Sequence, residues 1–555
     1  MSVMPEEIRT DVLIVGSGAA GLCAAIAARQ GNVDTLVASA SSPGAGNATA
    51  VSGGIMNAAV GPDDSPEIHF EDTLRSGAFL NDRPLIAKTI EMIPQWLPTL
   101  EEYGVAFAKE EGRYLVARSP GHTRARTTLF RPRVGVTLSK PLAETARRLG
   151  AKMLPNFNLI KILVRDNRAV GAIGYVWDAD KIVHLAAKVI VLAMGGASLI
   201  YSRTRIPPGV PGDGHGVALD AGLALQDMEF VQFYPTILAE PGKAKVLISY
   251  DHFLGAGAVF RNSLGEDIVA KHNLPEPEMI TRDHLSIAFA KEVYEGRGIE
   301  GTVLMDATRC RAAMGSNLYN ESAFFKMTQD LLAQGEDILA RPLRIAPANH
   351  YYMGGVQASA SGETAIEGLL ACGEIVGGTH GANRLQGNSL AETVVMGFEA
   401  GRTAATIAPR LALSKASERA VAESVERIAT SLQRKTGTPI REMLKTLQSA
   451  MTEKAAIVRD GQGLREAKDA IDSLRGEVPQ AVAAAPKERA TLCTISQLLD
   501  TAECIVLSAL ARRESRGAHY RVDYPETDNS EWRKHVTCAR QGEQIVTSTC
   551  PVSGL

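Results

Sequence analysis

The stretch from Asp11 to Gly21, DVLIVGSGAAG, constrains this chain more than any other part of it. Asp11 to Val15 is a short apolar run rich in β-branched residues, the pattern of a buried parallel strand. An alanine-rich helix from Ala19 to Arg29 and a second strand from Asp34 to Ala38 are predicted behind it, which makes a βαβ start. Gly16, Gly18 and Gly21 stand at GxGxxG spacing between strand and helix. The first permits a tight turn, the second lets backbone approach a pyrophosphate, and the third lets the helix pack closely on the strand. The N–H groups around Ala19 and Ala20, at the positive end of the helix dipole, then face the phosphates. An isolated GxGxxG is a weak signal. One that follows a strand and opens a helix predicts a dinucleotide site, with a glycine-rich packing turn as the weaker reading. The acidic residue that usually closes the second strand and holds a ribose hydroxyl is missing, and Ser39 stands in its place.

A second buried strand, Lys188 to Ala193, runs into Met194-Gly195-Gly196, and a third, Gly368 to Cys372, runs into Gly373-Glu374. Both put glycines at the carboxyl ends of strands, where doubly wound sheets bind ligands. At 555 residues the chain holds more than one domain. The expected fold class is α/β: a Rossmann-like nucleotide-binding domain in two parts, 1–241 and 342–401, with an inserted α+β capping domain over 242–341. A C-terminal helical domain over 402–516 and an extended tail over 517–555 complete the expected organisation.

The net charge of -3 offers no general electrostatic reason to bind nucleic acid. The local basic stretch of Arg124, Arg126, Arg131 and Arg133 is either a ligand or partner surface or a solvated face. The seven cysteines are dispersed with no CxxC pair, which argues against a disulfide framework and against a metal or iron–sulfur site built by this chain alone. A reducing, cytoplasmic setting fits that usage. Glu6 and Glu7 stand where a secretory signal would be basic. The uncharged run from Val12 to Ala28 is glycine-rich, short for a membrane span and better read as the βα unit above. Any membrane contact is expected only through partners.

Several further motifs resemble the flavoprotein subunits of the succinate dehydrogenase/fumarate reductase family, which also includes L-aspartate oxidase. They are AVSGGIMNA, EDTLRSGAFLNDRPLI, GDGHGVALDAGLAL with EFVQFYPT, EGRG, HYYMGG, ACGE, and GANRLQGNSLAETVVMGFEAG. The match extends through MTEKAAIVRDGQGL and ALARRESRGAHYRVDYPET, almost the whole chain. The resemblance implies FAD as cofactor, held by the Gly16–Gly21 turn, Ser39, Ser52, Gly53, Gly54, Gly195 and Asp213. It implies Glu374 at the ribose or ribityl region, and Asn388, Ser389 and Leu390 by the flavin ring, where a helix N-terminus favours negative charge on a reduced flavin. Many members attach FAD through a histidine where this chain has Asn47, an amide that cannot act as that nucleophile, so the resemblance implies non-covalent FAD.

Interconverting a C–C single bond and a double bond beside a carboxylate needs a hydride carrier, a proton-moving group and fixed positive charge on the carboxylate. The resemblance implies Arg297 in GRG as the proton-transferring residue, with Arg282 and Asp283 as relay members, and His350 and Arg384 as the pair that grips one carboxylate. The chain departs from the family at the other end. Tyr234 in QFYPT replaces a histidine, and Ser249-Tyr250 replaces a threonine–glutamate pair. Those residues suit a neutral or aromatic far end better than a second carboxylate, unless Asp251 and His252 restore the lost charge. The expectation is therefore an FAD-dependent dehydrogenase or reductase of a small carboxylate substrate, exchanging electrons with an iron–sulfur partner subunit. The alternatives are a conventional succinate dehydrogenase or fumarate reductase, an L-aspartate oxidase, and a flavin electron-transfer subunit without substrate chemistry.

Overall fold

The computed structural model describes residues 5–314 and 323–552. The predicted βαβ start is present as β1 (Glu6–Val15), α1 (Ala19–Gln30) and β2 (Thr35–Ala38). The strand expected at Lys188 to Ala193 is the last part of the longer β3 (Lys181–Leu192), which pairs in parallel with β1 so that Val15 stands opposite Leu192. Val15 also stands opposite Ala38, and the short strand Leu369–Ala371 continues in parallel beside β3. The carboxyl ends of these strands therefore open on one side of a sheet whose central strands are buried over 12–15, 35–38 and 189–192, and apolar there apart from Thr35. The glycines there are fixed by contact. Gly16 has φ +117°, and a Cβ on it would come 2.1 Å from the Ala193 carbonyl oxygen; one on Gly21 would come 2.0 Å from the Gly16 carbonyl oxygen.

The cap is a four-stranded antiparallel sheet whose outer strand β4 (Val231–Leu238) is followed in chain order by strands Val259–Arg261 and Val303–Asp306. Helix α2 (Arg282–Tyr294) packs on this sheet, and β5 (Leu343–Tyr352) closes it by pairing with β4. Sheet and apolar core thus reach beyond 242–341 on both sides, because β4 and β5 cannot bury their cap-facing residues elsewhere. The register of β4 and β5 shifts between Gln232/Phe233, which pair with Tyr351 and Asn349, so that His350 is the extra residue of a bulge.

Helix α3 (Asn388–Ile407) returns the chain to the nucleotide domain, packing on α1. The helical region follows as Glu418–Gln433, Ile440–Lys454, Gly461–Glu477 and α4 (Pro486–Ala511). Among the described residues α4 is the one helix long and apolar enough to cross a membrane, yet 78% of its apolar window is buried inside the protein. The region read as an extended tail is largely a hairpin, Lys534–Gln541 with Gln544–Pro551, whose Cys538 pairs across to Leu225. Burial of Val536 and Cys538 fixes it to the body of the molecule.

Candidate active site

Two cavities lie end to end at the carboxyl edge of the main sheet and share Ala48, Thr49, Glu374 and Thr393. The first, about 730 Å³, is lined by Gly16, Ser17, Gly18, Ala19, Ala20, Ser39, Asn47, Gly195 and Asp213 among others. It is a cradle of backbone and small side chains. Helix α1 has no acidic residue in its first turn and a glycine at its N-cap; Thr49 Oγ1 accepts the Ala19 N–H at 3.0 Å, and the positive end of the helix dipole still favours an anion here. Ser17 Oγ and Asp213 Oδ2 here, and Ser52 Oγ in the second cavity, are buried without a partner among the described residues, as expected of groups that bond a polar ligand. Burial pushes the Asp213 carboxyl up to about 6 and Glu374 up to about 8, so Glu374 is largely a neutral acid at pH 7.

The second cavity, about 1080 Å³, has a different character. Its lining includes Ser52 and Gly53, and Ser389 and Leu390 at the N-terminus of α3, which is uncapped and follows Gly387 at φ 91°. It also includes Tyr234, Ser249, Arg282, His350, Tyr351 and Arg384, whose Nη1 donates to Ser389 Oγ at 3.4 Å. Gln232 from β4 ties the two arginines together: its Oε1 accepts from Arg282 Nη1 at 3.0 Å and from Arg384 Nη2 at 2.8 Å. Gln232 Nε2 donates to Asn383 Oδ1 at 3.0 Å, and Asn383 Nδ2 donates to Asp283 Oδ1 at 2.8 Å. Arg282 Nη2 also reaches Gln386 Oε1 at 3.3 Å. Arg384 lies over the Tyr351 ring, 4.5 Å from its centre, and the Tyr234 and His350 rings meet edge-on at 5.5 Å. Both arginine Nε atoms are buried and unpartnered, and among the described residues neither guanidinium has a carboxylate partner. Burial and the neighbouring Arg282 draw Arg384 down to about 9, and burial with Arg282, Arg384 and Arg205 holds His350 well below its usual value, hence neutral.

The sequence matches the family descriptions "FAD binding domain" over residues 11–390 and "Fumarate reductase flavoprotein C-term" over residues 444–553. It is 35% identical to a subunit of the fumarate reductase (CoM/CoB) of Methanothermobacter marburgensis, covering 97% of this chain and 98% of that one. This chain belongs to the fumarate reductase/succinate dehydrogenase flavoprotein family. It is also 32% identical to an L-aspartate oxidase of Streptomyces coelicolor, covering 95% of this chain and 91% of that protein. Its fold superposes on FrdA of Escherichia coli quinol fumarate reductase with a TM-score of 0.89 at 29% identity, covering 99% of this chain and 97% of that chain. The protein is an FAD-dependent oxidoreductase.

Within this family frame, the geometry sorts the residues expected from sequence. His350, Arg384, Tyr234 and Ser249 meet at the second cavity. Arg297 does not. It lies just past the C-terminus of α2, where its guanidinium donates to Glu292 Oε2 at 2.7 Å and Oε1 at 2.8 Å and also to Glu295. Those two carboxylates hold its pKa above the ordinary arginine value, the reverse of what a proton donor needs. Arg282, at the opposite end of the helix, is the arginine that faces the cavity.

Tyr250 is likewise outside the lining. It is buried against Tyr234, with ring centres 5.9 Å apart and its hydroxyl donating to the Ile280 carbonyl at 3.3 Å. His252 does not line the cavity either, so it does not replace the missing cation. Asn388 faces away from the cavity, because its amide is taken up by Asn57, His69 and Thr73. Gly21 and Gly54 serve packing; a Cβ on Gly54 would meet the Val134 nitrogen at 2.3 Å. Asn47 donates from Nδ2 to the Ser17 carbonyl at 3.0 Å and accepts the Ala50 N–H at 3.0 Å, so its amide locks the following loop onto the glycine-rich turn.

Three contributors escaped the sequence reading. Gln232 stands two residues before Tyr234 inside EFVQFYPT, and Gln386 lies within the GANRLQGNS segment, but neither has a chemistry that marks it in isolation. Arg205 comes from the connection after β3 and lines the cavity. Of the basic stretch, Arg133 is exposed at the cavity rim, whereas Arg126 is fully buried between Asp64 and Asp72 and belongs to neither a surface nor a ligand site.

Proposed function

We propose that this chain is the substrate-handling subunit of an oxidoreductase that interconverts a carbon–carbon single and double bond beside a carboxylate. The observation that carries the reading is the convergence of Arg282, His350 and Arg384 on the second cavity, which Ser389 and Leu390 also line and where Arg384 Nη1 donates to Ser389 Oγ at 3.4 Å. FAD, when bound, would give a hydride to the substrate carbon in its reduced form and accept one from it in its oxidised form. His350 and Arg384 hold the substrate carboxylate, the guanidinium through charge-assisted bonds that also draw charge out of the conjugated double bond. Arg282 gives a proton to the neighbouring carbon in the reducing direction and takes it back in the oxidising one. Gln232 and Gln386 fix its orientation through neutral amides, which leave it free of a carboxylate that would tie up the proton.

The cofactor is held without a covalent link, since Asn47 has an amide committed to the backbone on both sides. Electrons pass to or from an iron–sulfur subunit on the cytoplasmic side, with membrane contact through partner chains. Relatives whose names mark them as subunits of fumarate reductase and succinate dehydrogenase support a multi-subunit setting.

The test is direct. Flavin reduced by dithionite in the purified protein should be reoxidised, without oxygen, by at least one member of a panel of short 2-enoic acids. Acid precipitation should leave free FAD in the supernatant. Failure of every acid would turn the reading toward an electron-transfer subunit, and flavin fluorescence retained by the denatured chain would overturn non-covalent binding.

A further inference from the structure

The substrate cavity is more positive than one carboxylate requires. Arg133, Arg205, Arg282 and Arg384 all line it, and the one acidic side chain in its wall among the described residues, Glu374, is pushed up to about 8 by burial. Arg282 and Arg384 share Gln232. Arg205 is separate. It reaches the cavity from the connection after β3, where its backbone N–H donates to the Asn349 carbonyl at 2.8 Å and so fixes it next to His350. Among the described residues the side chain has one long bond, Nη2 to the Val51 carbonyl at 3.5 Å, and its Nε is buried without a partner. Its charge acts on His350 together with those of Arg282 and Arg384, and on Tyr234 together with Arg282 and against the carboxylate of Asp251. A half-buried guanidinium with so few bonds is costly unless an anion completes it.

We propose that Arg205 is a specificity-determining residue. It grips a second anionic group on the substrate, beside the hydroxyls of Tyr234 and Ser249, so the preferred substrate is dianionic. The charge that this end lacks on β4 and at Ser249-Tyr250 is supplied by a different element of the fold, the connection after β3. This rests on the function proposed above. It replaces the expectation of a neutral or aromatic far end, which took account of Tyr234, Ser249 and Tyr250 but not of a cation from elsewhere in the chain.

The experiment compares fumarate with crotonate, which has the same carbon skeleton and one carboxylate fewer. Both are tested as oxidants of the reduced flavin in the parent protein, Arg205→Gln and Arg205→Lys, with FAD content measured on each preparation. The parent should prefer fumarate. Arg205→Gln should lower the fumarate-to-crotonate ratio of kcat/KM by about tenfold or more, chiefly through KM for fumarate, the size expected for one lost charge-assisted hydrogen bond. Arg205→Lys should recover part of that loss. Arg203→Gln, on the same connection but outside this cavity, should leave the ratio unchanged. Equal loss on both acids in Arg205→Gln would mean that the arginine serves the flavin or the fold, and would overturn the proposal. So would a parent protein that favours crotonate. If no acid reoxidises the flavin, the function proposed above falls and this inference with it; turnover of monocarboxylates alone removes only the inference.

Discussion

The two ends of α2 each present an arginine, and the fold treats them in opposite ways. At the N-terminus Arg282 enters a cavity, lies over the Tyr234 ring and, among the described residues, donates hydrogen bonds only to the side-chain oxygens of Gln232 and Gln386. Just past the C-terminus, Arg297 is clamped by Glu292 and Glu295, with a side chain 24% exposed over a Glu292 that is wholly buried. Two carboxylates neutralise a guanidinium and hold its protons, whereas neutral amides orient it and leave its charge for a substrate. The difference lies in the partners and not in the arginine, so a motif that marks an arginine does not say which of these roles it plays.

The largest effect is expected from removing the cavity arginine. Arg282→Gln should keep FAD and bind the acid with nearly unchanged affinity, while kcat falls by about 10²–10⁴, because a proton donor acts in the transition state. Steady-state kinetics with the best acid of the panel checks it, and a kcat within tenfold of the parent would remove Arg282 from proton transfer. A smaller effect should follow from making the N-terminal end resemble the C-terminal one. Gln232→Glu places a carboxylate between Arg282 and Arg384, competes with the substrate for both, and should lower kcat/KM by about tenfold or more.

The pH dependence sharpens the same contrast. Burial and the neighbouring Arg282 draw Arg384 down to about 9, so the free enzyme loses this cation as pH rises through that value. KM for the acid should be flat below it and rise by up to about tenfold per pH unit above it. In Gln232→Glu the rise should move to higher pH, since a nearby carboxylate favours the charged arginine.

The glycine-rich cradle was legible in the sequence because it is local: strand, turn and helix lie within a short stretch, and Gly16 and Gly21 have one geometric reading. His350 and Arg384 were legible through the family motifs around them. The rest of the cavity depends on tertiary placement. Gln232, Gln386 and Arg205 come from three separate segments, and nothing in any one of them shows that they converge. Tyr250 and His252 failed for the opposite reason. They neighbour a cavity residue in sequence, but the short helix Tyr250–Gly255 turns them out of the lining.

The smallest effect on turnover is expected from Arg297→Gln, although that is the arginine the sequence singles out. Its loss should leave kcat within about threefold of the parent, because its partners are Glu292 and Glu295 and not the cavity. The effect should appear in stability instead. The hydrogen bond from Arg297 is the first cause that depresses Glu292 below its ordinary value of 4.5, followed among the favourable contacts by Asn262 and His272. A carboxylate whose folded pKa is lowered contributes stability that is present above its unfolded value and is lost as pH falls. Arg297→Gln should therefore melt below the parent at neutral pH, with a difference that shrinks as the solution is acidified below 4.5 and Glu292 takes up its proton in both proteins. Thermal melts across that range, paired with turnover at neutral pH, separate the two ends of the helix: a variant that melts like the parent but has lost turnover would return Arg297 to the chemistry and take Arg282 out of it.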